Sequence, residues 1–129
     1  MVLDTSALLA ILFDAPERRD FTEAIEAAEV RLLSAANFVE ASMILESRHG
    51  AAGVRELDRL LAVANVEIIA VDLPQAHAAR EAFRQFGKGR HPAGLNFGDC
   101  FSYALAKDRS EQLLFKGEEF SHTDVLLPK

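Results

Sequence analysis

The sequence predicts an α/β protein with a mainly parallel central sheet, and three features carry that prediction. Short apolar runs rich in Val, Ile and Leu recur at residues 1–3, 30–33, 66–71 and 112–115. Between them, apolar residues return every three or four positions, the period of an amphipathic helix. Strands alternating with helices at this spacing call for parallel pairing, because parallel neighbours need a crossover connection that packs on the sheet. The third feature is length. A chain of 129 residues suits one domain with a substantial core, and no linker, repeat or low-complexity tract divides it, so a single domain over residues 1–129 is expected.

Residues 1–3 open as an apolar strand that stops at Asp4-Thr5-Ser6, all good helix caps, and residues 7–13 then read as a short buried helix. Asp14-Ala-Pro16 breaks that helix, and Pro16-Glu17 restarts one through Phe21, Ile25 and Ala28. After the strand at 30–33, Ser34 opens a longer helix over about residues 36–48, stopped by His49-Gly50. Its expected apolar face holds Phe38, Val39, Ser42, Met43 and either Ile44 or Leu45. A further helix fits residues 52–64, with Leu57, Leu60 and Leu61 inward. The run at 66–71 is the clearest strand, followed by the turn signal Asp72-Leu-Pro74. Residues 74–85 read as helix, 87–98 as a loop with four glycines, and Phe97 or Gly98 to Lys107 as another helix. A last strand at 112–115 leads into Lys116-Gly-Glu-Glu-Phe120.

Composition narrows the function classes. With 14 basic and 20 acidic side chains the net charge is −6, which argues against broad, non-specific nucleic-acid binding but leaves room for a local basic patch. Cys100 is the only cysteine, so no internal disulfide forms and a reducing compartment fits. The longest apolar run, residues 7–13, is too short to span a bilayer, and the chain opens without a basic leader; a cytoplasmic protein is expected. His49, His77, His91 and His122 lack metal-ligand spacing, and no phosphate loop or dinucleotide fingerprint occurs.

In open α/β sheets the functional crevice lies outside the carboxyl ends of the strands. Acidic residues fall where that crevice is expected. Asp4 ends strand 1, Glu40 sits in the second turn of the helix after strand 2, Asp99 lies in the first turn after Gly98, and Glu118 and Glu119 follow the last strand. Gathered carboxylates repel, and a hard divalent cation such as Mg²⁺ or Mn²⁺ is the natural compensation. A carboxylate–metal cluster can activate water and stabilise the oxygens of phosphodiester cleavage. Plainer roles compete: Asp4 can cap the first helix, Thr5 and Ser6 can hydrogen-bond the Asp4 carboxylate or, the preferred reading, cap that helix themselves, and Asp99 can simply meet the positive end of a helix. Glu40, set among apolar neighbours, is harder to explain without a partner. Asn96 reads equally as a turn residue or as a donor near Asp99. Cys100 reads as a small buried residue, and Glu46, Glu56 and Glu67 as solvated. Lys88, Arg90 and His91 form a cationic loop that suits phosphates or merely solvent, and Lys116 can neutralise the acids or bind phosphate.

Taken in order, Met1-Val-Leu-Asp4-Thr-Ser-Ala-Leu8, Ala36-Asn-Phe-Val-Glu40-Ala41, Gly94-Leu-Asn-Phe-Gly-Asp99-Cys-Phe-Ser-Tyr-Ala-Leu-Ala106 and Leu113-Leu-Phe-Lys-Gly-Glu-Glu-Phe-Ser-His-Thr-Asp124 resemble the PIN-domain ribonucleases. The last stretch is similar to the C-terminus of the VapC toxins within that superfamily. The resemblance covers essentially the whole chain. It implies a PIN-like three-layer α/β/α fold, a Mg²⁺-dependent endoribonuclease (Mn²⁺ also admissible), a cognate VapB-type antitoxin, an RNA substrate and a homodimer. Asp4, Glu40 and Asp99 carry over as acidic-site residues, with Asp4 and Asp99 as metal ligands. Glu118, Glu119 and Asp124 compete for the fourth place, and Glu119 is preferred because it directly precedes Phe120. Lys88, Arg90 and Lys116 are the expected contacts to RNA phosphate.

Two other classes share the opening strand-Asp pattern. A phosphatase of the haloacid-dehalogenase type needs a second aspartate two residues after the first, where this chain has Ser6. A receiver-like phosphate-accepting domain needs an acceptor after strand 3, and Asp72 is its only candidate.

Overall fold

Four short strands, all parallel, form one sheet in the order β3-β2-β1-β4. The computed structural model describes residues 1–128. In chain order the elements are β1 (Val2–Leu3), α1 (Thr5–Leu12), α2 (Arg18–Ala27), β2 (Leu32–Ser34), α3 (Ala35–Val63), β3 (Glu67–Ile69), α4 (Leu73–Phe86), α5 (Phe97–Arg109) and β4 (Leu113–Leu114), followed by a 3₁₀ turn at Glu119–His122. Successive strand residues point to opposite faces, and each face is covered. Val2, Leu32 and Leu113 pack under α4 and α5, while Leu3, Leu33 and Leu114 pack under α1, α2 and α3. The result is the expected three-layer α/β/α arrangement.

The strand order fixes where a site can form. From β1 the chain steps outward to β2 and β3, then crosses back to lay β4 on the other side of β1. This reversal opens a crevice at the carboxyl end of β1. The strands are shorter than their apolar runs because pairing lasts only a few residues: β3 keeps Glu67–Ile69 of the expected six, as a half-exposed edge. The opposite edge is covered, since Gln112 bridges to Leu126 and the Leu113 N–H donates to the Leu126 carbonyl at 3.0 Å.

Helix boundaries follow their caps. Asp4 itself caps α1 by accepting from the Ser6 N–H, so the helix starts at Thr5 and not at residue 7. Ser34 caps α3 as expected, and Asp72 caps α4. Hydrogen bonding continues through α3, but Gly50 breaks it in geometry, at φ 64 and ψ −154, so two helical arms meet there as the His49-Gly50 stop signal predicts. The expected apolar face of the first arm needs correction. Val39 and Met43 are exposed (52 % and 62 %), and the buried line is Asn37, Ala41 and Leu45. The rotation is set at the helix start, where Asn37 is drawn inward by hydrogen bonds to α1 and α5. Leu57 and Leu61 are buried in the second arm, with Leu60 partly so. Among the described residues no helix is long and apolar enough to cross a membrane.

Candidate active site

Three helices start at the carboxyl edge of the sheet, and each brings a carboxylate with it. Asp4 leaves β1 directly into the first turn of α1 and is almost fully buried. Its Oδ2 accepts from the Ser6 N–H at 3.0 Å and the Ser6 hydroxyl at 2.5 Å, and its Oδ1 accepts from the Ser102 hydroxyl at 2.6 Å. Ser6 Oγ in turn accepts from the Lys116 N–H at 2.9 Å, tying the segment after β4 to the end of β1. Ser6 thus serves the Asp4 carboxylate, and capping falls to Asp4. Asp99 is the third residue of α5 and closes a capping box with Asn96: its N–H donates to Asn96 Oδ1 at 2.9 Å, and its Oδ2 accepts from the Asn96 N–H at 3.0 Å. Asn96 is therefore both the turn residue and the group that fixes Asp99. Glu40, half-buried in the second turn of α3, lays its carboxylate against Gly98, where a Cβ would collide with it.

The electrostatics show which acids share the crevice. Burial raises the Asp99 carboxyl to about 7, and the charges of Asp4, Glu119 and Glu40 push it in the same direction against the lowering Asn96 bond. Glu119 therefore stands with the other three. Glu118 also lines the crevice, a space of about 450 Å³ shared with Lys88, Asn96, Asp99, Glu119 and His122. Asp124 is engaged elsewhere: Tyr103 donates to it and Lys107 pairs with it at 3.0 Å, which together hold its carboxyl below the ordinary range. Cys100 is buried, and burial with the Asp99 charge lifts its thiol to about 11, too high for a nucleophile at neutral pH.

All of these donors are carboxylate oxygens, the chemistry that hard divalent cations take. Among the described residues no three acidic, imidazole or thiol groups stand at ligand spacing around one point. The oxygens of Asp4 and one oxygen of Asp99 are held by hydrogen bonds, and like charges keep the side chains apart. The donor set fits a hard divalent cation by its chemistry, since every donor is a carboxylate oxygen and the Glu40 carboxylate lies against Gly98, next to Asp99. Of the expected phosphate contacts, Lys88 lines the crevice. The Arg90 guanidinium lies over the Phe83 ring at 5.5 Å, and the Lys116 ammonium stands 3.8 Å from Glu17. His91 accepts from the Ala93 N–H at 3.0 Å and shapes the loop.

A sequence model of the PIN domain matches residues 1–126. The chain belongs to the PIN-domain family. Within it the similarity runs to VapC ribonucleases: Ribonuclease VapC30 of Mycobacterium tuberculosis is 54% identical over 125 residues, covering 97% of this chain and 95% of that protein. Ribonuclease VapC of Mycolicibacterium smegmatis is 55% identical over 125 residues, covering 97% of each. Among solved structures, Mycobacterium tuberculosis VapC20, described as a toxin that cleaves the sarcin-ricin loop, aligns with a TM-score of 0.78 at 16% identity over 97% of this chain and 95% of that one. VapBC2 from Rickettsia felis, bound to a DNA fragment from its promoter, aligns with a TM-score of 0.76 at 14% identity over 98% and 94%. These distant likenesses establish the fold. PIN-domain ribonucleases are metal-dependent as a class.

Two residues around this PIN-domain crevice lie outside the acidic pattern that marks it in the sequence. Ser102 is one turn beyond Asp99 and fully buried, and its hydroxyl reaches Asp4 across 98 positions of sequence. A polar residue in an otherwise apolar helix was its only signal. Asn37 is the other. The rival receiver reading loses its acceptor, because Asp72 accepts from the Gln75 N–H at 2.9 Å as the cap of α4, after a strand separated from β1 by β2.

Proposed function

We propose that this protein is a divalent-metal-dependent endoribonuclease, the toxin half of a VapBC-type toxin–antitoxin pair, acting in the cytoplasm as a single-domain homodimer. The observation that carries the reading is that Asp99, raised to about 7 chiefly by its burial, also feels the charges of Asp4, Glu119 and Glu40. The VapC relatives at 54% and 55% identity supply the reaction class, and toxin–antitoxin complexes among the fold neighbours support an antitoxin partner.

Asp4 and Asp99 would hold the ion, Mg²⁺ or Mn²⁺ in its place. Bound there, the ion supplies a lowered water pKa and charge balance for the scissile phosphate. The protein's own part is positional. Ser6 and Ser102 fix both Asp4 oxygens, so that carboxylate keeps one orientation. Asn96 does the same for Asp99. Glu40 would be a further ligand, through a water, or the group that orients the attacking water, and Glu119 would be the fourth acid. Lys88 and Arg90 sit on the loop before α5, where phosphates flanking the cleaved bond would run; Lys116 can join them by leaving Glu17.

Asp4→Asn and Asp99→Asn are each expected to abolish RNA cleavage while leaving the circular dichroism spectrum of the parent. Cleavage is measured on a mixed RNA pool with Mg²⁺ and with excess chelator, and new 5′ ends are mapped. Full metal-dependent cleavage in both variants would overturn the assignment. Co-expression with a candidate antitoxin is expected to relieve growth arrest that depends on Asp99.

A further inference from the structure

Asn37 is fully buried near the start of α3, one helical turn before Glu40. Its side-chain Nδ2 donates to the Gly98 carbonyl at 3.0 Å and to the Thr5 hydroxyl at 3.1 Å. The Thr5 hydroxyl donates back to the Asn37 carbonyl at 3.5 Å, so α1 and α3 hold each other in both directions. The amide cannot be turned round. A carbonyl only accepts, so the NH₂ group must face Gly98. That orientation leaves Asn37 Oδ1 buried without a partner. The unpaired Oδ1 is a cost, set against the two bonds that Nδ2 makes, and what those bonds hold together is the start of α1, α3 and α5.

The two partners have one thing in common. Thr5 follows Asp4, Gly98 precedes Asp99, and Glu40 lies three positions along from Asn37 on its own helix. One side chain therefore bonds to the hydroxyl of the residue after Asp4 and to the carbonyl of the residue before Asp99, 32 and 61 positions away in sequence, from the helix that carries Glu40. We infer that Asn37 is a positioning residue that sets the spacing of Asp4, Glu40 and Asp99 for binding one divalent cation. The inference rests on the ribonuclease reading for what the site does, but its own content is the spacing between carboxylates. Mutual repulsion drives these groups apart, and hydrogen bonds between the helix starts oppose it without adding charge.

The experiment reads metal affinity and RNA cleavage separately. Asn37→Leu keeps the branched shape of the side chain, though two methyl groups are bulkier than the oxygen and NH₂ they replace, and removes the amide. Its melting temperature is expected to fall, because the Gly98 carbonyl and the Thr5 hydroxyl lose a buried donor, and in the protein that remains folded Mn²⁺ binding by titration calorimetry weakens about 10-fold or more. With RNA, kcat falls by about 10-fold or more and KM stays within about 2-fold, as expected when geometry and not substrate binding is lost. Thr5→Val removes one arm of the clamp and Thr5→Ser restores it: Mn²⁺ affinity is expected to fall about 3-fold or more in the first and return in the second. If Asn37→Leu fails to fold, the Thr5 pair decides alone. Parent-like Mn²⁺ affinity in Asn37→Leu, or equal affinity in Thr5→Val and Thr5→Ser, would overturn the inference and leave Asn37 a core residue. A parent protein that binds Mn²⁺ but cleaves no RNA would instead sink the ribonuclease reading and leave the inference standing.

Discussion

Gly98 has no side chain, and the space where one would begin is filled by the carboxylate of Glu40. The contact decides how close α3 and α5 can come at the acidic crevice. A methyl group at Gly98 would not meet backbone there. It would meet the far end of a flexible side chain, which can swing away at little cost to folding. Alanine is also the better helix former, by about 1 kcal/mol in a helix interior. Gly98→Ala is therefore expected to leave the melting temperature unchanged or slightly raised. Activity should fall by about 10-fold or more, because a displacement of about 1 Å at a catalytic group costs on that order. Thermal melts and RNA cleavage measured on the same preparation check both halves. A variant that loses stability and activity together would show that Gly98 serves packing and not the placement of Glu40.

At the scale of elements, the kink inside α3 divides a helical arm that serves the site from one that serves the core. Gly50 sits at φ 64 and ψ −154, a region that residues with a side chain enter only under strain, and nothing lies within 4 Å of where its Cβ would be. Gly50→Ala is expected to cost about 1–3 kcal/mol through backbone strain alone, read by chemical denaturation. The folded fraction should keep parent cleavage, since Asn37 and Glu40 lie three turns away on the first arm. The kink was legible because its cause is local, a His-Gly stop after a helical period. So were the Asp4 turn and the Gly98-Asp99 start, where capping residues and carboxylates are neighbours in sequence. The face of the first arm was not legible. Val39 and Met43 and the line Asn37-Ala41-Leu45 both repeat at helical spacing, and hydrophobicity favoured the wrong stripe. What chooses between them is a pair of hydrogen bonds from Asn37 to Thr5 and Gly98, and no local pattern announces partners so distant in the chain. The candidates after β4 have the same character. Glu118, Glu119 and Asp124 differ little as sequence, yet Tyr103 and Lys107 take Asp124, while Glu118 and Glu119 both line the crevice and the charge of Glu119 reaches Asp99.

For the whole molecule, the crevice couples folding to protons and to metal. The Asp99 carboxyl has an ordinary value of 3.8 when the chain is unfolded and about 7 when it is folded, chiefly because folding buries it. Between those values the folded protein holds a proton that the unfolded chain has released, so protonation favours the native state. The contribution is complete below about pH 4 and is lost as the pH rises through about 7. The full displacement would be worth about 4 kcal/mol, but the carboxyl keeps part of its solvent contact, and about 1–3 kcal/mol is the expected share. A divalent cation competes with that proton for the same oxygens. Stabilisation by metal should therefore be small at pH 5 and large at pH 8, the reverse of the proton's own effect. Melting curves of metal-free protein from pH 4.5 to pH 8, repeated with saturating Mg²⁺ or Mn²⁺, test this against Asp99→Asn, which cannot titrate at that position. The parent should lose a few degrees relative to Asp99→Asn across the window and regain them with metal. Parallel profiles for parent and variant would mean that Asp99 enters the folded state already ionised, its burial and the neighbouring charges too weak to hold a proton on it.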